Sequence, residues 1–261
     1  MKTFTIITGA SKGIGKAFTF ECAAKKMNLI LVARSAELLT KLADELSATG
    51  VEVKTIAIDL LEAKAADTIF ERIKSEQWNV NMLINNAGIG DHGAFAKQSL
   101  QHQLNTMQLN MNVMVEMAYH FLHNSDKTQK RYILNTASTG AFQPVPNFSI
   151  YTATKAFILS FTESLHFEMK KQQVHVTALC PGGTETEFFS GSENMQKVVK
   201  KNQAYMMPAK DVALQGLEGL LKNKTIVIPG LVNKVGAVAA QLMPRKMVVS
   251  TAAKFFDIKE E

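Results

Sequence analysis

The chain has 261 residues, of which 29 are Lys or Arg and 23 are Asp or Glu, so its formal net charge is +6. This length fits one α/β domain or two small ones, and 46% hydrophobic against 20% charged residues argues against an intrinsically disordered chain. Two cysteines, no N-terminal cleavable signal and no apolar run near the roughly 18 residues of a membrane span lead us to expect a cytoplasmic protein.

Short apolar runs alternate with helical patterns along almost the whole chain. Strands are predicted at 3–8, 29–33, 52–58, 82–85, 131–136, 174–179 and 225–228. Helices are predicted at 13–27, 36–48, 63–76, 104–123, 149–171 and 210–221. Continuously apolar strands are typical of a parallel sheet that is covered on both faces. The alternation therefore predicts an α/β fold, with a doubly wound parallel β-sheet flanked by helices.

A glycine-rich turn follows the first predicted strand and opens the first predicted helix. Its residues are Gly9, Ser11, Lys12, Gly13, Ile14 and Gly15. Glycines let a backbone approach a pyrophosphate closely, and a helix N-terminus offers unpaired N–H groups and partial positive charge. A tight connection between strand and helix is the alternative interpretation. The position in the first βα unit favours nucleotide binding.

The end of the second predicted strand discriminates between cofactors. Arg34 stands there, and the next acidic residue is Glu37. A basic residue at this point accommodates the 2′-phosphate of NADP(H), whereas an acid binds the ribose hydroxyls of NAD. Lys12 adds a second positive charge at the turn. Two ordinary surface cations are the alternative, but their positions favour NADP(H).

Two further strand ends carry candidate cofactor contacts. Asp59 and Leu60 follow the third strand, where a carboxylate could accept a hydrogen bond from the adenine amine. Asn86, Ala87 and Gly88 close the fourth strand, where small residues would leave room for the adenine ribose. Ordinary Asx turns or caps are the alternative at both places.

A candidate catalytic group lies further along the chain. Tyr151 and Lys155 are four residues apart on a predicted helix and so share one face. A neighbouring ammonium and a cationic nicotinamide would lower the pKa of the phenol toward neutrality. Ser138 follows the fifth strand and could bind a substrate carbonyl. Asn110 could hold a water that connects Lys155 to solvent.

These motifs, in this order, resemble the short-chain dehydrogenase/reductase family over roughly residues 3–230. The resemblance implies a single-domain Rossmann fold and hydride transfer between NADP(H) and a carbonyl or secondary alcohol. It implies a catalytic tetrad of Asn110, Ser138, Tyr151 and Lys155, with Asn110 preferred to Asn112 because it follows Gln108 and Leu109. It also places Pro181, Gly182, Thr184 and Thr186 beside the nicotinamide. No metal is expected.

The substrate side is predicted to be apolar. Within a domain spanning 1–230, a lid at 187–207 carries Phe188, Phe189, Met195, Val198, Val199, Tyr205, Met206 and Met207. Phe142, Val145 and Phe148 would extend the apolar wall, so a hydrophobic small molecule is the expected substrate. The family resemblance implies a homodimer or homotetramer that pairs through helices around 104–123 and 149–171.

The last part of the chain, 231–261, is predicted to be a helical extension of the same domain. The run Pro229–Lys234 resembles a subgroup with long-chain 3-oxoacyl and 17β-hydroxysteroid reductases. From residue 222 onward the net charge is +4. Three interpretations are open: a helix docked on the body, a subunit contact, or an interfacial membrane helix.

Two other functional classes compete with a reductase. A non-catalytic NADP-binding regulator would use the same fold, but it would be expected to carry a disrupted tetrad, and all four positions are present. A nucleic-acid-binding protein would rest on positive charge alone, because the sequence has no recognition motif of that kind.

Overall fold

The computed structural model describes residues 2–189, 196, 199–200 and 203–256, and its centre is a parallel β-sheet. In chain order its strands are β1 (Thr3–Thr8), β2 (Asn28–Ala33), β3 (Val53–Ala57), β4 (Asn79–Asn85), β5 (Arg131–Thr136), β6 (Val174–Leu179), β7 (Thr184–Glu185), β8 (Met207–Pro208) and β9 (Ile226–Val227). β7 and β8 form a separate two-stranded ribbon. The other seven form the main sheet.

The strand order of the main sheet is β3-β2-β1-β4-β5-β6-β9, and every pairing is parallel. The order reverses between β1 and β4, where Ile6 pairs with Leu83 on one side and with Ile30 on the other. In such sheets a crevice opens at the carboxyl ends of the strands beside the reversal. The doubly wound α/β fold predicted from the alternating pattern is confirmed.

Helices cover both faces of this sheet. In chain order they are α1 (Gly13–Ala24), α2 (Ala36–Ser47), α3 (Ala65–Ser75), α4 (Leu100–Met107), α5 (Val113–Asn124), α6 (Ser149–Met169), α7 (Ala209–Leu221), α8 (Leu231–Leu242) and α9 (Arg245–Phe255). One buried cluster joins α1, α2 and α7 to the sheet, and Phe18 and Leu217 are among its members. A second cluster, with Ile69, Phe121 and Leu165, joins α3, α5 and α6 to the opposite face.

The prediction of one regular helix at 104–123 is wrong. The helical segment begins earlier, at Leu100, because the Ser99 hydroxyl caps it by accepting the His102 N–H at 3.4 Å. A π-helical segment, Gln108–Asn112, then separates α4 from α5. Such π-bulges occur frequently at functional sites.

The C-terminal segment folds as α8 and α9, which lie against the body of the protein near α6. Ala252 packs with Val145 and Phe148. The Phe256 ring lies 5.4 Å from the Phe148 ring, centroid to centroid. Within the part of the chain that the structure describes, no helix has both the length and the apolarity to cross a bilayer.

Candidate active site

The glycine-rich turn brings the start of α1 against the end of β1. Gly9 and Gly13 have φ of +64° and +53°, in the left-handed region that glycine adopts at little cost. A β-carbon on Gly15 would collide with the Gly9 carbonyl oxygen. Among the described residues, no side chain caps the first turn of α1. Its N–H groups are therefore open to an anionic group.

The Thr8 side chain ties this turn to the end of β4. Its hydroxyl accepts the backbone N–H of Asn86 and of Ala87, both at 3.0 Å. The Asn86 side-chain amide donates in return to the carbonyl oxygens of Thr8 (3.3 Å) and Gly9 (3.4 Å). The sequence reasoning missed this bridge, although a threonine that ends a strand just before a glycine turn was its signal.

The two predicted cofactor cations have different surroundings. Arg34 is exposed, and among the described residues it makes no hydrogen bond or ion pair. Lys12 instead pairs with Glu187 at 2.7 Å, and this hydrogen bond lowers the pKa of the Glu187 carboxyl. Arg34 is therefore the cation left open at the end of β2.

Asp59 combines both interpretations made from the sequence. One carboxylate oxygen, Oδ1, accepts the backbone N–H of Leu61 at 3.0 Å, as in an Asx turn. The residue also faces the same cavity as Arg34, together with Leu60. The turn thus holds the carboxylate in place while Asp59 remains in the cavity wall.

One cavity of about 1300 Å³ collects nearly all of the predicted site residues. The predicted residues in its wall are Gly9, Ser11, Lys12, Gly13, Ile14, Arg34, Asp59, Leu60, Asn86, Ala87, Gly88, Ser138, Tyr151, Lys155, Pro181, Gly182, Thr184 and Thr186. Gly15 and Asn110 are not in this wall; the first holds α1 close to β1, and the second lies buried behind Gly88. The carboxyl ends of the strands thus assemble the motifs in one place.

Ser138 and Tyr151 meet within this cavity. The Ser138 hydroxyl, just past β5, accepts the Gly140 N–H at 3.0 Å and hydrogen-bonds the Tyr151 side chain. Tyr151 lies in the first turn of α6. Burial raises the pKa of Tyr151, and the hydrogen bond with Ser138 opposes that rise. In the protein alone, desolvation of the phenol has the larger effect. The lowering expected from the ammonium together with a bound nicotinamide stays a prediction.

Lys155 lies one turn after Tyr151 and is only 4% exposed. Its ammonium donates a hydrogen bond to the Thr136 carbonyl oxygen at 2.8 Å and lies 5.6 Å from the centroid of the Tyr151 ring. Burial lowers the pKa of Lys155 to about 8. The site therefore holds an ammonium whose proton is more labile than that of an exposed lysine.

Asn110 is fully buried in the π-helical segment. Its amide nitrogen donates to the Ile89 carbonyl oxygen (2.8 Å) and to the Thr154 hydroxyl (3.0 Å), while its oxygen accepts the Ile89 N–H at 3.0 Å. A β-carbon on Gly88 would lie 3.1 Å from Asn110 Oδ1 and 3.6 Å from Lys155 Nζ. Asn112 is exposed and bonds to Gln108. The register favoured from the sequence thus places Asn110 beside Lys155.

One of the three residues predicted to extend the apolar wall does not line the cavity. Val145 and Phe148 line the cavity, but Phe142 packs in a buried cluster with Met114 and Ile158. Of the predicted lid, Phe188, Val199, Tyr205 and Met206 line the cavity, while Met207 packs against the core. Met195, Val198 and the side chain of Phe189 lie outside the described residues.

The sequence reasoning missed the contribution of the C-terminal helices to the cavity. Their lining residues are Val232, Asn233, Gly236, Ala237, Ala239, Ala240, Met243, Val248, Thr251, Ala252, Phe255 and Phe256. The Asn233 side chain packs directly on Gly182, and a β-carbon on Gly182 would collide with it. The signal was the run of small residues at 236–240, which lets α8 approach closely.

Comparison with known proteins identifies relatives of this chain. The sequence model described as short chain dehydrogenase matches residues 3–197. The chain is 34% identical over 194 residues to 17-beta-hydroxysteroid dehydrogenase type 3 of Homo sapiens, covering 71% of this chain and 60% of that protein. It is 31% identical over 185 residues to very-long-chain 3-oxoacyl-CoA reductase of Bos taurus, covering 68% and 58%.

A solved structure extends the likeness to the whole fold. A short-chain dehydrogenase from Sphingobium yanoikuyae in complex with NADPH matches with a TM-score of 0.79 and 26% identity, covering 99% of this chain and 97% of that one. The matched regions span about 60% of the human and bovine relatives' length. The family expected from the sequence is confirmed, and these two relatives are consistent with the expected subgroup.

Proposed function

This chain belongs to the short-chain dehydrogenase family, and on that premise we propose that it is an NADP(H)-dependent oxidoreductase. Its reaction interconverts a carbonyl group and a secondary alcohol on a hydrophobic small molecule. The observation that carries this proposal is the meeting of Ser138, Tyr151 and Lys155 between the glycine-rich turn and the apolar part of one cavity. The complete tetrad counts against a non-catalytic regulator.

The residues at the turn fit a dinucleotide with a 2′-phosphate. The backbone near Gly9 and Gly15 leaves no room for side chains, and the open N–H groups of α1 face the same cavity. Arg34 offers a planar guanidinium without a protein partner among the described residues. When bound, the nicotinamide supplies or accepts the hydride.

Tyr151 and Ser138 act on the substrate oxygen. Because burial keeps the pKa of Tyr151 high, its phenol carries its proton at neutral pH and can donate it to a carbonyl oxygen during reduction. Ser138 donates a hydrogen bond to the same oxygen, which stabilises the negative charge that develops there. In the oxidative direction the phenolate takes the proton back.

Lys155 and Asn110 serve the proton transfer. The Lys155 ammonium stabilises the phenolate that remains once Tyr151 has given up its proton. Its lowered pKa makes it a suitable donor to restore that proton. Asn110 is held rigidly by Ile89, and the narrow space beside Gly88 suits a water that returns the proton from solvent.

The substrate class follows from the remaining cavity wall. Val145, Phe148, Ala240, Met243 and Phe256 present apolar surface in the same cavity as Tyr151. The names of the two relatives refer to hydroxysteroids and to long-chain 3-oxoacyl thioesters, which agrees with a hydrophobic carbonyl substrate. We propose that residues 187–207 act as the lid over this substrate.

The domain limits, the assembly and the compartment are part of the same proposal. Residues 1–230 form the catalytic domain, and 231–261 form its extension. Within that extension, described residues between Val232 and Phe256 line the cavity. Copies of the chain pair through α5 and α6, whose exposed Tyr119 and Phe157 support such a contact. Both cysteines are free and buried, which fits a reducing compartment such as the cytoplasm.

The test is oxidation of NADPH, followed by its absorbance, against steroid ketones, 3-oxoacyl thioesters, aromatic ketones and short polar aldehydes. We expect turnover with apolar carbonyls and little with short polar ones. If the protein binds NADPH but oxidises it with no carbonyl in the panel, the regulator becomes the better explanation.

A further inference from the structure

The exposed apolar side chains of this protein are concentrated at one place. Seven of the sixteen large hydrophobic residues described as exposed lie within 231–255. They are Leu231, Val232, Val235, Val238, Leu242, Met247 and Phe255. We refer to these seven residues as the docking face. Such a concentration of exposed apolar surface marks an interaction site.

Helix α8 turns its small residues toward the protein body and its large apolar residues outward. A helix docked on a protein body usually buries its largest apolar side chains. In α8 the buried residues are Ala237 and Ala240, whereas Leu231 and Leu242 are 77% and 81% exposed. Leu231, Val235, Val238 and Leu242 follow one another at intervals of four, three and four residues, so they form a single stripe. This stripe faces away from the body.

Charge distinguishes between the possible occupants of this stripe. The sequence has no acidic residue between Glu218 and Asp257, and six cations lie in that interval. Lys234, Arg245, Lys246 and Lys254 are exposed on the same two helices as the docking face. Pairing with a second copy through this face would bring like charges together, which is unfavourable. An anionic partner is favoured.

Apolar and basic character together match one anionic partner best. Aliphatic side chains that project from a helix with flanking lysines and arginines are the features of interfacial membrane helices, which insert into the boundary between headgroups and acyl chains. Nucleic acid would provide no apolar surface for Leu231 and Leu242. A bilayer that contains anionic lipid provides both an apolar layer and negative charge.

The cavity opens at this same face. Val232 and Phe255 both line the cavity and are more than half exposed, at 66% and 51%. Both residues belong to the docking face. The mouth of the apolar cavity therefore lies beside the stripe that would contact the lipid.

We propose that the docking face binds to an anionic lipid bilayer and that the mouth of the cavity then faces the lipid. The aliphatic stripe of α8 inserts at the membrane surface, and the cations of α8 and α9 bind the lipid headgroups. A hydrophobic substrate dissolved in the bilayer then enters between Val232 and Phe255. This membrane contact is additional to the proposed reaction, and its measurement does not depend on turnover.

The test is co-sedimentation of the full chain with vesicles of phosphatidylcholine alone or mixed with phosphatidylglycerol. We expect binding that requires phosphatidylglycerol and weakens with salt. The double variant Val235→Glu/Leu242→Glu should lower the partition coefficient by about tenfold or more, because it places two charges in the stripe. Lys234→Glu/Lys246→Glu should lower binding to the anionic vesicles specifically.

Leu100→Glu is the matched control. Leu100 is also a highly exposed aliphatic residue, but it lies at the start of α4, outside the docking face, where an acid suits the helix N-terminus. It should bind vesicles like the unaltered protein. Val235 and Leu242 do not line the cavity, so their double variant should keep its NADPH-dependent turnover of a water-soluble carbonyl, which also reports correct folding.

Two results would overturn the proposal. One is failure of the unaltered protein to bind anionic vesicles. The other is equal binding by the unaltered protein and the Val235→Glu/Leu242→Glu variant. If the unaltered protein is a dimer that does not bind vesicles, and the variant is a monomer, the docking face is instead the contact between two copies of the chain. Turnover of the water-soluble carbonyl tests the proposed reaction separately, so the reaction remains supported even if the membrane proposal fails.

Discussion

The ammonium of Lys155 donates a 2.8 Å hydrogen bond to the carbonyl oxygen of Thr136, the last residue of β5. Two residues after Thr136 comes Ser138, and one turn before Lys155 comes Tyr151. This one bond therefore links the strand end that carries Ser138 to the helix that carries Tyr151. It also consumes one of the three ammonium protons, so the buried charge is partly compensated.

Lys155 should make stability depend on pH in a defined direction. Burial lowers its pKa from 10.5 to about 8, so the unfolded chain holds this proton more tightly than the folded one. The charged form therefore costs stability below pH 8, and that cost disappears as the pH rises toward 10.5. Lys155→Met removes this cost at every pH, whereas the unaltered protein loses it only as the pH rises. The free energy of unfolding of the variant minus that of the unaltered protein should therefore fall by about 1–3 kcal/mol between pH 7 and pH 10.

Urea unfolding of both proteins at the two pH values measures this difference. Effects of other titrating groups are common to both proteins and cancel in the comparison. A difference that stays constant with pH would show that Lys155 has an ordinary pKa in the folded protein.

Tyr151→Phe should abolish turnover while NADPH binding survives. The substitution removes the hydroxyl that exchanges a proton with the substrate and leaves the ring that packs against Phe148 and Phe188. We expect a loss of at least about a thousandfold in kcat, because general acid catalysis contributes on this scale. Steady-state rates and NADPH fluorescence titration check the two parts. Full activity in the variant would exclude Tyr151 as the proton donor.

Asn110→Ala and Asn112→Ala form a matched pair. The first leaves the Ile89 N–H and carbonyl without their side-chain partner in a partly buried place, and it removes the buried bond to Thr154. We therefore expect a loss of about 1–3 kcal/mol in the free energy of unfolding and lower activity. The second removes an exposed side chain and should change either quantity little. Thermal unfolding and steady-state assays distinguish them. The reverse ranking would contradict the placement of Asn110 beside Lys155.

Arg34→Ala should weaken NADPH binding by about ten- to a hundredfold and NADH binding much less, because the lost guanidinium would contact only the 2′-phosphate. Lys41→Ala is the control, since Lys41 is an exposed cation on α2 that already pairs with Glu37 at 3.1 Å. Dissociation constants for both cofactors provide the measurement. Equal losses for NADPH and NADH would contradict the assigned role.

Local patterns predicted much of the site. The glycine-rich turn and Arg34 are each positioned by a single strand end, and a parallel sheet brings its strand ends to one edge. The Tyr151 and Lys155 pair depends only on the helical repeat of α6. For this reason short-range spacing was enough to place them.

Long-range packing decided the rest. The sequence alone determined the doubly wound sheet and the residues at its carboxyl edge, because burial on both faces and the helical repeat leave periodic patterns in neighbouring residues. Only the tertiary structure placed Phe142 in the core, turned the α8 stripe outward and brought Asn233 onto Gly182. These contacts join segments far apart in the chain, and whether a helix shows its small or its large residues to the body depends on the shape of the surface that receives it.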